Sequence, residues 1–478
     1  MQVFKQWPIY LIGRILPAAI GFFGIALYTR LLDPASFGIY ALLLSTSFLV
    51  GMTGFSWLRV ATLRTMTSVT PDEEADFAAT IALSFVGVSL LVAATIVGGL
   101  RLYNPAIPLS SELLAAAGAI ASGWFELNVT MVQARMHLIT YGVLQATRAV
   151  GTLASSLLFI SLGMKANALL GGFALGNCAG FVALSLWLPG VRGAFRATIF
   201  RQLFHFGWPA SAVSLTYFSI TFQRFLLNVV GGAAAVGVFA AASDFSQQTV
   251  GLLIGTATLA GQPLAFRARD LGTQDDLAKQ LRSNAQLVFA VGLGSGAGLF
   301  ALAGPISHLY FGAKFQVDAA PLLAISAIAM FLSGFRSNYF EQGFEIARRT
   351  RPMAVIAAFR ILATVISSAF LIYRYGAIGA ALSTLVTEVL ALTLSIIWTR
   401  RLMQMPVPVG SFAKIAAATV AMVGVMELVP ARNSPVGFAL AVLTGILVYA
   451  GSFAIMHLRE MRALFGVPQP AAPGLTRL

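Results

Sequence analysis

Residues 77–100, FAATIALSFVGVSLLVAATIVGGL, run for 24 positions without a charged side chain. A helix of that length reaches about 36 Å, enough to cross the roughly 30 Å of hydrocarbon in a bilayer. Runs of the same character recur along the whole chain. They predict spans at 8–31, 36–62, 77–100, 110–131, 137–162, 166–189 and 204–230, then at 233–262, 284–306, 319–341, 352–374, 377–400, 411–429 and 434–457. With 58% hydrophobic and only 10% charged residues in 478, and a mean hydropathy of +0.84, the surplus apolar surface has to face lipid, which excludes a water-soluble globule. The fold class is an all-α polytopic membrane protein with about fourteen transmembrane helices. The first span reads as a helix rather than a cleavable leader, because Arg14 interrupts its apolar run and no small-residue cleavage site precedes a soluble domain.

Positive charge sets the orientation, since cytoplasmic loops retain Lys and Arg during insertion. With both termini inside, 21 Lys and Arg fall on the cytoplasmic side and 6 outside, the other 4 of 31 lying within spans. The net charge of +14 is therefore topology and attraction to anionic lipid head groups rather than a nucleic-acid surface. Five of the six tryptophans, Trp7, Trp57, Trp187, Trp208 and Trp398, fall at cytoplasmic span ends and read as interface anchors. The single cysteine, Cys178, sits in an apolar span and excludes a disulfide framework or a cysteine metal site. Loops are short, the longest polar stretches being 263–283 and 190–203, and the tail from Pro468 reads as disordered. The cluster Asp72, Glu73, Glu74 and Asp76 reads as a solvated loop. His137, His205, His308 and His457 are scattered, and the sequence calls for no metal and no cofactor beyond a coupling ion.

An internal repeat organises these spans. Phe37-Gly38-Ile39-Tyr40-Ala41 at the start of span two recurs as Val236-Gly237-Val238-Phe239-Ala240 at the start of span eight. The stretch from Arg148 through Thr152, Ser155 and Ser156 in span five recurs from Arg360 through Thr364, Ser367 and Ser368 in span eleven. Both pairs map a span onto the one six later, and Pro17 and Pro209 agree. The domains follow as an N-lobe at 1–190, a C-lobe at 191–402, and a helix pair with its tail at 403–478. Repeated halves around a midplane site are a common plan for transporters.

The repeated Arg-x-x-x-Thr-x-x-Ser pattern places three polar groups on one helical face, which Tyr141 and Gln145 extend in span five. An arginine at mid-depth costs about 3 kcal/mol even on the lenient insertion scale, so it should face a bundle interior or a hydrated cavity. Arg148 and Arg360, with Thr152 and Thr364 beside them, are expected to converge on one cavity. Guanidinium groups bind phosphate oxygens in pairs and stay charged, so a polyanionic head group is the expected cargo. A competing reading neutralises both arginines with buried acids, Glu388 in span twelve and Asp244 in span eight. An ion pair that breaks when substrate or a coupling ion arrives reconciles the two. Asp244 lies in the polar stretch Ser243 to Thr249, which no lipid-facing helix would carry and which should line water. Arg14 and Arg224 are further cavity candidates, although each lies near a membrane surface and is expected to snorkel, as are Glu126 and Glu112.

Arg30-Leu-Leu-Asp33-Pro34-Ala-Ser-Phe37-Gly38-Ile-Tyr40 resembles the signature after the first helix of polysaccharide-exporting flippases of the multidrug/oligosaccharidyl-lipid/polysaccharide superfamily. Gln223-Arg224 followed by Val236 to Ala240 is similar to that family's second-half element. The resemblance implies two six-helix lobes of the MATE type around a cationic cavity and alternating access. It also implies movement of an isoprenoid-diphosphate-linked oligosaccharide across a bacterial inner membrane, coupled to a proton or sodium gradient. The expected partners are that lipid-linked substrate, membrane lipids and polysaccharide polymerase or export machinery, with no nucleic acid and a monomeric state. In related lipid II flippases the last two helices form a groove for the isoprenoid tail, a role open to spans thirteen and fourteen. An acid is common in the family where this chain has Gln223, so Glu388 and Asp244 would have to carry ion coupling. A multidrug or cation antiporter of the same superfamily is the first alternative, disfavoured by mid-membrane arginines and the absence of acids in spans one and two. A membrane-embedded glycan polymerase would be expected to carry a sizeable extracytoplasmic loop.

Overall fold

The computed structural model describes residues 2–66, 69–70, 72–135, 137–181, 193–214, 216–349, 351–403 and 405–456. The expected lobe boundary at 190, residues 182–189 of span six, Trp187 and the tail from Pro468 lie outside these residues, as do the side chains of Trp7 and Arg14. Among the described residues every regular element is helical: α1 (Gln2–Leu31), α2 (Pro34–Thr65), α3 (Glu74–Tyr103), α4 (Leu109–Ala134), α5 (Leu138–Ser161), α6 (Ala166–Asn177), α7 (Ala197–Ser214) and α8 (Thr216–Ser246). A π-helical turn, Gln247–Gly251, leads into α9 (Leu252–Leu271). There follow α10 (Gln274–Ala301), α11 (Ala303–Tyr310) and α12 (Gln316–Phe335), then a second π turn (Arg336–Phe340) and α13 (Glu341–Ile346). The chain continues through α14 (Arg351–Leu402), α15 (Val409–Leu428) and α16 (Pro435–Met456). Ten helical runs among them are long and apolar enough to cross a membrane.

Two of those runs are not straight. Arg224 and Asp244 lie 20 residues apart in α8, about 30 Å along a continuous helix, yet their side chains meet at 2.7 Å. The chain must reverse between them, and it does so at Gly232, whose φ of 75° is open to glycine at little cost. Gly376, with φ 56°, plays the same part in α14. There Ser368 meets Ser383 at 2.7 Å, Thr364 meets Thr387 at 3.3 Å, and Arg360 meets Glu388 at 2.6 Å across 28 residues. Both elements are antiparallel helical hairpins, and both turns fall where the sequence separates consecutive spans.

The signature after α1 has a local cause. Asp33 caps α2, accepting the Ser36 backbone N–H at 2.9 Å, with Pro34 at the first helical position, where its missing N–H is no loss. That backbone hydrogen bond holds the Asp33 carboxyl below its ordinary value. Arg30 donates to the Leu309 carbonyl at 2.6 Å, tying this turn to the second half of the chain.

The repeated elements Phe37–Ala41 and Val236–Ala240 pack directly on each other. A Cβ on Gly38 would lie 1.8 Å from the Ala233 carbonyl oxygen, and one on Gly237 would lie 1.9 Å from that of Pro34. Only glycine admits such an approach, so the two repeated elements mark where α2 and α8 cross. Phe37, Ala41, Val236, Phe239 and Ala240 are buried around the crossing.

The polar stretch at 263–283 is mostly helix rather than loop. α9 runs to Leu271 and α10 begins at Gln274, started by a capping box in which Thr273 and Asp276 accept each other's backbone N–H groups. Charged residues here belong to helix extensions beyond the apolar spans. Trp57 is another departure. It is buried against Phe200 and Phe204, whereas Trp208 is 60% exposed.

A charged cavity between the repeats as the candidate functional site

α1, α2, α4, α5 and α6 from the first repeat, with α8 and the first π turn from the second, enclose a cavity of about 570 Å³. That volume lies within the usual range for small-ligand sites. Arg148, Glu126, Arg224 and Asp244 all line it, together with Thr152, Asn177, Gln247 and Gln248. The stretch from Ser243 to Thr249 thus contributes three cavity-lining polar residues, and its π turn interrupts the regular hydrogen-bond ladder beside them, a frequent feature of functional sites.

Arg148 projects from α5 over the Phe125 ring, 4.5 Å from its centroid, and donates to Glu126 of α4 at 3.0 Å. The other Glu126 oxygen lies 3.4 Å from Arg59 of α2, which lines a small recess opening beside the cavity. One carboxylate is therefore shared by two guanidinium groups from two different helices. Arg224 is 6% exposed, donates to Asp244 and also donates to the Ala41 carbonyl at 2.9 Å. Three arginines face two acids, leaving one positive charge in excess among these groups. Arg224 Nε, Gln248 Oε1 and Asn177 Oδ1 have no hydrogen-bond partner within the protein. Such buried polar atoms cost about 1–3 kcal/mol each when unmet.

Arg360 does not share this cavity with Arg148. It lies in the α14 hairpin, donating to Glu388, whose second oxygen accepts from Arg336 at 2.9 Å, and Arg336 also pairs with Glu341. This second cluster holds two cations and two anions, with Glu388 and Arg336 nearly inaccessible. The polar face of span eleven was legible, but it is answered by span twelve across the Gly376 turn rather than by the cavity. Thr364 is buried in the same seam against Thr387. Tyr141 packs into a minor core with Phe125, Val129, Val132 and Leu144, and Gln145 is buried nearby on α5. Neither lines the cavity.

Arg224 does not snorkel. Its guanidinium is buried and paired because the hairpin brings Asp244 to it. Glu112 is likewise buried, with Arg101 Nε at 2.9 Å. Arg14 lies in α1, its side chain outside the described residues. Gln223 is a packing residue, donating to Ser383 and Thr384 at 3.2 Å each. Sequence reasoning missed Arg59 as a member of the site and expected Glu126 to snorkel rather than to pair with arginines. Both lie several residues inside their helices because α2 and α4 run to Thr65 and Ala134, past the spans drawn by hydropathy. Among the described residues no group of three or more His, Cys, Asp or Glu could hold a metal.

A polytopic all-helical chain with two helical hairpins, crossing repeats and a charged cavity between them has the fold shared by MurJ and the MATE transporters. It aligns with a lipid II flippase MurJ in an inward closed conformation at a TM-score of 0.81 and 14% identity, over 95% of this chain and 99% of that one. An inward-facing MATE family multidrug resistance transporter gives a TM-score of 0.61 at 14% identity, over 85% and 99% of the two chains. A Vibrio cholerae MATE transporter gives 0.56 at 15% identity, over 84% and 96%. The chain belongs to the polysaccharide biosynthesis protein family, whose profile matches residues 27–317. No curated protein matches it in sequence.

Proposed function

We propose that this protein is a flippase that carries an isoprenoid-diphosphate-linked oligosaccharide from the cytoplasmic to the periplasmic leaflet of a bacterial inner membrane by alternating access. The observation that carries the reading is the cavity between the repeats, with Arg148 and Arg224 on its wall and positive charge in excess of its acids. Guanidinium groups match phosphate oxygens, and two halves meeting at glycine crossings can rock about them. Membership of a polysaccharide biosynthesis family and likeness to a lipid II flippase support it.

The proposed topology has fourteen spans with both termini cytoplasmic, in an N-lobe at 1–190, a C-lobe at 191–402 and a terminal pair at 403–478; the ten long apolar runs, with each hairpin counted as two passes, supply twelve of them, and α1 and α6 are read as the other two. The terminal pair, with α1, α8 and α10, borders an apolar groove of about 700 Å³ that suits an isoprenoid tail and has Arg30 among its lining. Asp244 and Glu388, each held by arginine, are the proposed ion-coupling acids, for protons or sodium. The protein acts as a monomer and hands its cargo to polymerase or export machinery.

A cation antiporter is the second reading, favoured by Glu126 and Asp244 in the cavity. Both acids are already held by arginines, which a cationic cargo would have to displace. Leaflet transfer of a defined lipid-linked glycan in proteoliposomes separates the two. The flippase reading expects transfer by the wild type and loss in Arg148→Ala at normal protein levels. Efflux of organic cations without glycan transfer would refute it.

A further inference from the structure

Glu126 is bound in a way that ordinary charge neutralisation does not require. Its two oxygens are divided between Arg148 of α5, at 3.0 Å, and Arg59 of α2, at 3.4 Å. None of the three is sealed in: their side chains are 28%, 24% and 37% exposed for Arg148, Glu126 and Arg59. The carboxylate lines both the main cavity and the recess that Arg59 enters, so it sits at the junction of the two spaces. The recess lies between small residues, Ser47, Gly51, Ser122 and Gly123, and the larger Phe48 and Phe55, and has room for about one water molecule. The second-half counterpart differs. Arg336, Glu388, Arg360 and Glu341 balance two against two, and Arg336 and Glu388 at their centre are nearly inaccessible, as befits a structural network. The first-half group is one anion short and opens on the cavity.

We infer that Glu126 is an internal stand-in for the substrate's phosphate, holding Arg59 and Arg148 together in the empty cavity and giving them up when a phosphate group arrives. The inference rests on the proposed function and adds to it Arg59 as a second anion ligand and Glu126 as its competitor. A diphosphate offers several charge-assisted acceptors where the carboxylate offers two, so it can take both guanidinium groups. After transfer the carboxylate recloses on the arginines and expels the anion, which keeps a strongly cationic site from trapping its cargo. No covalent bond changes.

The test is calorimetric titration of full-length protein in phosphatidylcholine nanodiscs with inorganic pyrophosphate at low salt. Glu126→Gln keeps the shape and removes the competing charge. It should bind about tenfold more tightly than wild type, the factor by which a site nine-tenths occupied by its own carboxylate is masked. Arg59→Gln should bind more weakly than wild type, and Arg148→Ala should lose binding. Unchanged or weaker binding by Glu126→Gln overturns the proposal, because the carboxylate would then be a bystander or a support for the arginines. If that variant fails to fold, Arg59→Gln decides, and wild-type affinity there overturns it. Equal binding by wild type and Arg148→Ala, or no binding by either, instead refutes the anion-cavity reading beneath it. Repeating the titration in phosphatidylglycerol nanodiscs separates carried diphosphate from phospholipid head group. Loss of the Glu126→Gln gain there assigns the site to the phospholipid and overturns the proposal.

Discussion

Replacing Gly38 with alanine adds one methyl group where the two repeats cross, and the structure fixes the sign of its effect. In an exposed helix interior that change stabilises by about 0.8–1 kcal/mol, because alanine loses less backbone freedom. At Gly38 the new Cβ would lie 1.8 Å from the Ala233 carbonyl oxygen and 2.8 Å from the Gly237 nitrogen, both backbone atoms. Reaching even 3.0 Å from the oxygen requires α2 and α8 to separate locally by about 1.2 Å, and close-packed surfaces transmit such a shift. Overpacking of this kind costs about 1–3 kcal/mol, and with so short a contact to backbone the upper part of that range applies, which outweighs the propensity gain and leaves a net loss of up to about 2 kcal/mol. Gly237→Ala meets the Pro34 oxygen at 1.9 Å and should cost a similar amount. The double variant should cost less than the sum, since one separation relieves both clashes. Gly98 of α3, with nothing within 4 Å of its would-be Cβ, is the control, and Gly98→Ala should be neutral or stabilising. Thermal unfolding of the detergent-solubilised proteins, followed by size-exclusion fluorescence, measures all four. Wild-type stability in Gly38→Ala, or equal shifts in Gly38→Ala and Gly98→Ala, would refute the close crossing.

The positive φ at Gly232 and Gly376 gives a second expectation: alanine at either turn should destabilise by about 1–2 kcal/mol in the same assay, although nothing lies within 4 Å of either site. Asp244→Asn strands the buried Arg224 and should lower stability by a few kcal/mol, Arg224→Ala strands the more exposed Asp244 and should cost less, and the double variant should recover much of the larger loss; additive losses would argue against the pair. Asp33→Ala removes the α2 cap and should cost about 1 kcal/mol near neutral pH. Because the folded Asp33 carboxyl lies below its ordinary 3.8, its contribution is complete above that value and fades as pH falls through the lowered one. The gap between wild type and Asp33→Ala should therefore close in acid, as a pH series of unfolding curves would record.

Much of the helical architecture can be read from hydropathy, because lipid forces the apolar pattern onto each span, and self-similarity picks out the two elements that meet at Gly38 and Gly237. Gly232 and Gly376 fall between consecutive spans drawn from the sequence alone. The cavity was less legible. Arg148 and Asp244 line it as their polar surroundings suggest, but helical periodicity gives only the direction of a side chain and not the neighbour it meets. Arg360 and Thr364 point from the repeated face into the other limb of their own hairpin. Arg224 looked free to reach the membrane surface, since nothing local announces that Asp244 folds back onto it. Arg59 and Glu126 fall near the ends of the spans drawn by hydropathy, where a charged side chain reads as reaching the surface, whereas the helices continue to Thr65 and Ala134.

The two hairpins bear on how such a chain enters the membrane at all. Arg224 with Asp244, and Arg360 with Glu388, are each contained in one contiguous segment that doubles back at a single glycine. A lone Arg or Asp at mid-helix costs about 2.5–3.5 kcal/mol on insertion. A hairpin leaving the translocon as a unit can present its two opposite charges already joined, so lipid meets a near-neutral pair before any other helix has arrived. Charges that end up inside the finished bundle, Arg224 and Asp244 of the cavity among them, can thus be carried through biogenesis by neighbours in their own segment, and packing of the remaining helices need not come first.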